Sequence, residues 1–455
     1  MWREPRGRLA PKVIDRLDEI QEDVERVEGR RARSPSEGLR FRQCLRAICL
    51  DLFHAYEFDP SQVIGVHRGN TALTGNPNYP PFVTARSFLQ ALEGLVRCGY
   101  VESVSLGSEA SGQTSRVRAT AKLHRKMDVL RGHRTSIFDT NDPIRVMLDQ
   151  EGKKEKRRVA FIETEQTRQW RENLERINSN NSKYFFDIDF SNFQVEFDKR
   201  KESFLTLADA KHERLKTDLD ATRLHRVFNS IDFSTGGRFY GAWWINFKKE
   251  FRKYITIDHK ETCEHDFSHI HAMLLYAEIG IELPPDYDPY TAPHGEALRG
   301  ATKEAFNVML NARRRPVLGM VEEFDQRTAG ISWDRFIDGI LKEHEPIASH
   351  FLSGAGGRLQ RRDSDIAEAV LLRFADMGYP CLPIHDSFIT FKTLDDELPD
   401  LMQDVVRKIT GVMSYSKRKD PVESLGAESP ENADYDIEDI LDGMSERELK
   451  WPGRD

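Results

Sequence analysis

Cysteine is scarce in this chain. Its 455 residues include five, Cys44, Cys49, Cys98, Cys263 and Cys381, and none sits in a CxxC pair. An odd, scattered set excludes a disulfide framework and argues against a structural zinc site; reduced, mostly buried thiols are expected. Long apolar runs are also missing, so no segment is expected to span a bilayer. The opening MWREPRGRLAPK is basic but lacks the apolar centre of a signal peptide, which points to a cytoplasmic protein. Positive charge is not in excess either: the net charge is −8. The acid is concentrated near the end, in ESPENADYDIEDILDGMSE, whereas Arg116, Arg118, Lys122, Arg125, Lys126, Arg131 and Arg134 cluster against a lone Asp128. Local patches rather than the total decide whether a phosphate backbone can dock.

What is present is a soluble composition, 39% hydrophobic and 31% charged, on a chain longer than one core usually serves. Residues 1–36 carry one amphipathic stretch, VIDRLDEIQEDVERV, expected as a solvated N-terminal helix, then a turn-rich RSPSEG. Residues 37–135 predict a compact domain. LRFRQCLRAICLDLFHAY is apolar at helical spacing. Thr84 is placed to cap a second helix with Phe88, Leu92, Leu95 and Val96 on one face. YVESVSLG and TSRVRAT then read as a hairpin. Two helices followed by a basic-edged hairpin resemble a winged helix, whose second helix enters the major groove while the wing touches backbone. Arg116, Arg118 and Lys122 are the candidate DNA contacts. Residues 136–225 are charged and predict a long helix pair. Residues 226–412 are rich in aromatics, Gly and His. Residues 413–455 form an acidic tail in which disorder is expected.

Three segments of the 226–412 stretch carry chemistry. In TCEHDFSHIHAMLLYAEIG a strand is expected to end near Asp266 and a helix to begin. LPIHDSFIT reads as a hairpin with His385-Asp386 at its turn, and a carboxylate among apolar residues calls for a compensating cation. In LRGATKEAFNVMLNA, Arg299, Lys303, Asn307 and Asn311 recur every four residues and form one helical stripe. Two cations followed by two amides suit a triphosphate followed by a sugar and base. SGAGGR lacks the Lys-Ser/Thr of a phosphate loop and reads as a flexible turn.

In this order the three segments resemble the polymerase motifs of family A DNA polymerases and the related phage-type single-subunit RNA polymerases. DFSHI resembles the first motif, Arg299 and Lys303 match the Arg-x3-Lys of the fingers helix, and HDSF matches the third motif as the RNA enzymes spell it. GGRFYGAWW resembles the Gly-Arg-x-Tyr segment upstream, and LQRRDSDIAEAV the Gln-bearing helix before the third motif. The resemblance implies an α+β fold with a palm-fingers-thumb core: 136–225 as a helical, thumb-like region, 226–412 as palm and fingers. It implies a nucleotidyltransferase extending a 3′-hydroxyl on a DNA template with dNTPs or NTPs. Asp266, Asp386 and the backbone carbonyl of Phe267 would hold two Mg²⁺ ions, or Mn²⁺ in their place, about 3.5–4 Å apart. Arg299 and Lys303 would bind the triphosphate, with Lys303 as a proton donor to the leaving group. Arg238, Gln360 and His385 would contact template or primer. The family's fingers Tyr-Gly pair is Asn311-Ala312 here. The Glu that DNA polymerases place five residues after the first Asp is His271. Both departures bear on sugar selection, and the short run from Asp266 to Arg299 implies trimmed fingers.

Two other readings compete. Cys263, His265, Asp266, His269 and His271, joined by His385-Asp386, suit one metal cluster in a phosphohydrolase or nuclease. A non-enzymatic, DNA-binding replication initiator built on the winged helix is the other.

Overall fold

The computed structural model describes residues 3–5, 11–28, 33–58, 60–69, 73–74, 79–80, 82–105, 115–130, 135–137, 142–150, 156–189, 221–247 and 249–419. It is a mixed α+β protein in two units, one ending at Asp142 and the other beginning at Pro143. Among the described residues, no helix is long and apolar enough to cross a membrane.

In the first unit, β1 (Arg3–Pro5) pairs antiparallel with β5 (Thr135–Ile137). Helix α1 (Pro11–Glu28) is not the solvated helix expected. Val13, Leu17, Ile20 and Val24 form one stripe and are all fully buried. Gly94 makes this possible: a Cβ there would come within 2.2 Å of the Val24 side chain. Helix α2 (Pro35–Phe58) starts inside the segment expected as a turn, because Pro35 and Glu37 suit a helix's first turn. Strand β2 (Ile64–Val66) follows, then α3 (Ala85–Arg97), capped as expected by Thr84, whose hydroxyl accepts from the Ser87 amide at 3.2 Å. Strands β3 (Val101–Ser105) and β4 (Ser115–Ala119) pair antiparallel, Glu102 opposite Arg118, and β2 adds to β4. Helix α4 (Ala121–Lys126) follows β4.

The second unit takes in the segment expected as a separate helical pair. Its first part instead supplies strands β6 (Ile144–Leu148), β7 (Arg157–Val159) and β8 (Phe186–Ile188), with one helix, α5 (Glu165–Asn181), among them. The second helix expected there, FQVEFDKRKESFLTLADAKHERLKTDL, lies outside the described residues. Strands β9 (His225–Phe228) and β10 (Gly236–Tyr240) join β6 and β7 in the order β10-β9-β6-β7, with β6 and β9 parallel. Strands β11 (Ile255–Ile257) and β12 (Lys260–Phe267) are joined through Asp258 and His259, both at positive φ as a tight hairpin requires.

Helices α6 (Ile270–Glu278), α7 (Arg299–Asn311), α8 (Gln326–Ala329), α9 (Trp333–Glu343) and α10 (Gly356–Met377) follow. SGAGGR is only half a turn, since its last residues open α10. Then come β13 (Leu382–Ile384), β14 (Ser387–Phe391), α11 (Glu397–Thr410) and β15 (Ser416–Arg418). The second sheet runs β13-β14-β12-β11-β8, with β15 also on β12. The acidic tail therefore begins later than expected: residues 416–418 are a strand of this sheet, and residues from 420 onward lie outside the described ones.

Aromatic residues fill the core of this unit; Trp244, Phe228, Phe306, Phe336, Phe374 and Phe388 are all inaccessible to solvent. Arg226 is buried among them. Its guanidinium donates to Glu368 at 2.8 Å, to Ser364 at 2.9 Å and to the Gly237 carbonyl at 2.8 Å, which fastens β9 and β10 to α10. Gly237 has φ +88°, and a Cβ there would come within 2.7 Å of the Ser364 hydroxyl. The approach of β10 to α10 requires glycine at that position.

Candidate active site

Asp266 lies within β12, not at the start of the next helix. The N-cap of α6 is His269, in the left-handed conformation at φ 57°, so Asp266 does not cap that helix. Strand alternation puts Glu264 and Asp266 on one face of β12 and Cys263 and His265 on the other. Across the sheet, Asp266 opposes Ser387, the first residue of β14. The Phe267 amide donates to the Asp386 carbonyl oxygen at 3.2 Å, so the β13–β14 turn is tied to the end of β12. His385 in that turn has φ 60°, as a two-residue hairpin turn demands.

The two carboxylates feel each other. Burial raises the pKa of Asp266; the nearby Lys419 charge opposes this and the Asp386 charge adds to it. Lys419 Nζ lies 3.5 Å from Asp266 and 3.0 Å from Glu264. Glu264 also takes Arg252 at 3.2 Å and the Ser387 hydroxyl. Asp386 is half-buried and has no side-chain hydrogen bond or ion pair among the described residues. A half-buried carboxylate without a partner costs free energy unless a cation joins it.

Another acid ties three elements together. Asp363 on α10, itself buried, holds Arg238 of β10 at 2.8 Å and His271 of α6 at 2.9 Å. Burial works against the Arg238 charge, but Asp363 and, further off, Asp386 outweigh it and raise its pKa. Burial, with help from Arg238, lowers the pKa of His385 against the pull of Asp386. Arg238 Nε and His385 Nδ1 are buried without a protein partner.

Helix α7 carries the stripe the spacing predicts. Lys303 and Asn311 are exposed and Arg299 and Asn307 half-buried, as are Gly300, Glu304 and Val308, while Ala301, Ala305, Phe306, Met309 and Leu310 face the core. Arg299 donates to Asp288 at 2.8 Å, and His269 lies 3.7 Å from the same carboxylate. Burial lowers the pKa of His269 to about 4, opposed by Asp288 and aided by Lys417, Arg299 and Lys303. The start of α7 and the end of β12 thus share one electrostatic neighbourhood. Tyr290, buried between Asp288 and Asp386, has its pKa raised by burial and then by those two charges. Asn311 turns back to donate to the Asn307 carbonyl at 2.8 Å. Gln360 is half-buried on α10.

The chain matches no protein-family model and no curated protein.

The histidine-rich metal cluster of the competing reading does not assemble. Cys263, His265 and Asp395 do come within 4.8 Å of one another, on the face of β12 opposite Asp266. Asp395 already pairs with Arg418 at 3.0 Å and His265 at 2.7 Å, and burial pushes the Cys263 thiol up to about 12. His269 turns instead to Asp288 and His271 to Asp363.

In the first unit, the three candidate DNA contacts differ. Arg116 is exposed and makes no ion pair among the described residues. Arg118 pairs with Glu102 at 2.8 Å, and Lys122 donates to the Cys98 carbonyl at 2.7 Å while lying over the Tyr100 ring. Sequence reasoning missed Lys419, Glu264, Asp363 and Asp288. Glu264 could have been found from its spacing, two residues before Asp266 on a strand.

Proposed function

We propose that the second unit is a nucleic-acid polymerase with a palm-like sheet, in which Asp266 and Asp386 form the catalytic pair. The observation that carries this reading is the pairing of β12 with β14. It sets two acids from distant parts of the chain side by side, one of them without a protein partner. A hydrolase metal site would also use such acids, but it gives no reason for a cationic helix beside them.

Asp266, Asp386 and the Phe267 carbonyl would hold Mg²⁺; the donors are all oxygen, which suits this ion. Held by these residues, the ion would supply the Lewis-acid chemistry that activates a 3′-hydroxyl and steadies a departing pyrophosphate. Arg299, fixed by Asp288, and the exposed Lys303 attract and orient the triphosphate, and Lys303 can pass a proton to the leaving oxygen. Arg238 and His385 each keep a buried nitrogen without a protein partner, and they would contact primer or template. His271, held by Asp363, is five residues after Asp266, the spacing at which the enzymes the motifs resemble carry the residue that reads the sugar 2′ position, and it would take that part here.

The first unit reads as a winged-helix-like DNA-binding domain. Its helix order, its β2-β4-β3 sheet and the exposed Arg116 on the wing support this. The test is primer extension with dNTPs and with NTPs, on templated and untemplated primers, in Mg²⁺ and Mn²⁺. Incorporation with either nucleotide set supports the reading. No incorporation under any condition by folded protein contradicts it.

A further inference from the structure

Among the described residues, Lys419 is the cation that pairs with Asp266, and it comes from a part of the chain whose composition pointed elsewhere. Strand β15 lies antiparallel on the end of β12, with Lys417 opposite Asp266 and Arg418 opposite His265. One residue on, the Lys419 amide donates to the Glu264 carbonyl at 2.9 Å. That bond fixes the Lys419 backbone, and its side chain reaches back over the face of β12 that carries the acids. The ammonium lies 3.0 Å from Glu264 and 3.5 Å from Asp266, and the Lys419 side chain is four-fifths shielded from solvent. Glu264 has a second cation, Arg252, 3.2 Å away. Asp266 has only Lys419 among the described residues.

We propose that Lys419 is the protein's own countercation for Asp266 and competes with a divalent ion for that carboxylate, so that metal entry displaces the ammonium toward Glu264. The inference rests on the reading of Asp266 as a metal ligand. Two positive charges cannot both sit on one carboxylate oxygen in a half-buried pocket without strong repulsion. Glu264 gives the displaced ammonium a second place to rest. Lys419 therefore keeps the Asp266 and Glu264 charges compatible with folding, and sets the metal concentration at which the site fills. It touches no reacting atom in this role and is a positioning residue.

The test uses the full chain and no nucleotide. Mn²⁺ binding is measured by calorimetry, and melting temperature is measured with and without Mn²⁺, for the wild type and for Lys419→Met, Lys419→Gln, Lys419→Arg and Asp386→Asn. The expected result is that Lys419→Met and Lys419→Gln bind Mn²⁺ on the order of tenfold more tightly. They should melt lower than wild type without metal and close the gap when metal saturates. Lys419→Arg, which keeps the charge, should behave as wild type. Unchanged or weaker Mn²⁺ binding in both neutral variants, with Asp386→Asn having lost it, overturns the countercation role alone. Wild-type Mn²⁺ binding by Asp386→Asn overturns the metal-site reading itself, and this proposal with it.

Discussion

The amide of Phe267 and the carbonyl of Asp386 are hydrogen-bonded at 3.2 Å, and this bond sets the distance between the two candidate catalytic acids. It joins the last residue of β12 to the turn of a hairpin more than a hundred residues away in the chain. The carboxylates therefore do not depend on flexible loops for their mutual placement. Both are carried by paired backbone, which suits a site that must hold ions at fixed separation.

Asp363 should prove as important as Asp266 and Asp386. Replacing it with Ala leaves Arg238 and His271 without their shared anchor and should cost about 3 kcal/mol of stability, as breaking a buried ion pair does. Asp363→Asn keeps the size and one hydrogen bond. It should fold, yet raise KM for primer or nucleotide more than it lowers kcat. Steady-state kinetics with each substrate varied in turn would show this; a fall in kcat alone would assign Asp363 a different part.

Much of this was readable beforehand, and the reason is locality. The β13–β14 hairpin, the β12–α6 junction and the α7 stripe each depend on the period of a single short segment. What could not be read were partners brought from afar: Asp288 to Arg299, Asp363 to Arg238 and His271, Lys419 to Asp266. Ion pairs leave no periodic trace. Strand β15 was hidden because its few residues border a long acidic block. Strands β6 to β8 were hidden because charged flanks outweigh three to five apolar-alternating residues. The burial of α1 was written in Val13, Leu17, Ile20 and Val24; only the partner face on α3, opened by Gly94, was not.

Acid should destabilise the fold over a defined window. Arg145 donates to His225 Nε2 at 3.0 Å, so that nitrogen accepts and the ring is neutral. Burial first, then the Arg145 and Arg158 charges, lowers its pKa from 6.5 to about 3. Between those values the unfolded chain binds a proton that the folded chain refuses. Stability therefore rises with pH across the window and is lost as pH falls through it. His269, held near 4 mainly by burial, adds the same sign. Denaturant midpoints at pH 7 and pH 4.5 should differ less for His225→Gln than for wild type. An unchanged difference would mean that His225 charges freely in the fold.

On the wing, the arginines should separate by role. Arg116→Ala should weaken DNA binding and reduce the salt slope by about one, the signature of one lost phosphate contact. Arg118→Ala should move neither by much, because its charge is already matched by Glu102. Equal effects of the two substitutions on the salt slope would show that the Glu102 pair opens on binding.

The most direct test of the central claim is nucleotide incorporation by Asp386→Asn, measured beside its melting temperature with and without Mg²⁺. The substitution keeps size and removes charge from a half-buried carboxylate with no described protein partner. Incorporation should fall by orders of magnitude, and the stabilisation by Mg²⁺ should vanish. Without metal the variant should melt at or above the wild-type temperature, because repulsion between Asp266 and Asp386 is relieved. An Asp386→Asn protein that incorporates nucleotides as the wild type does would contradict the account.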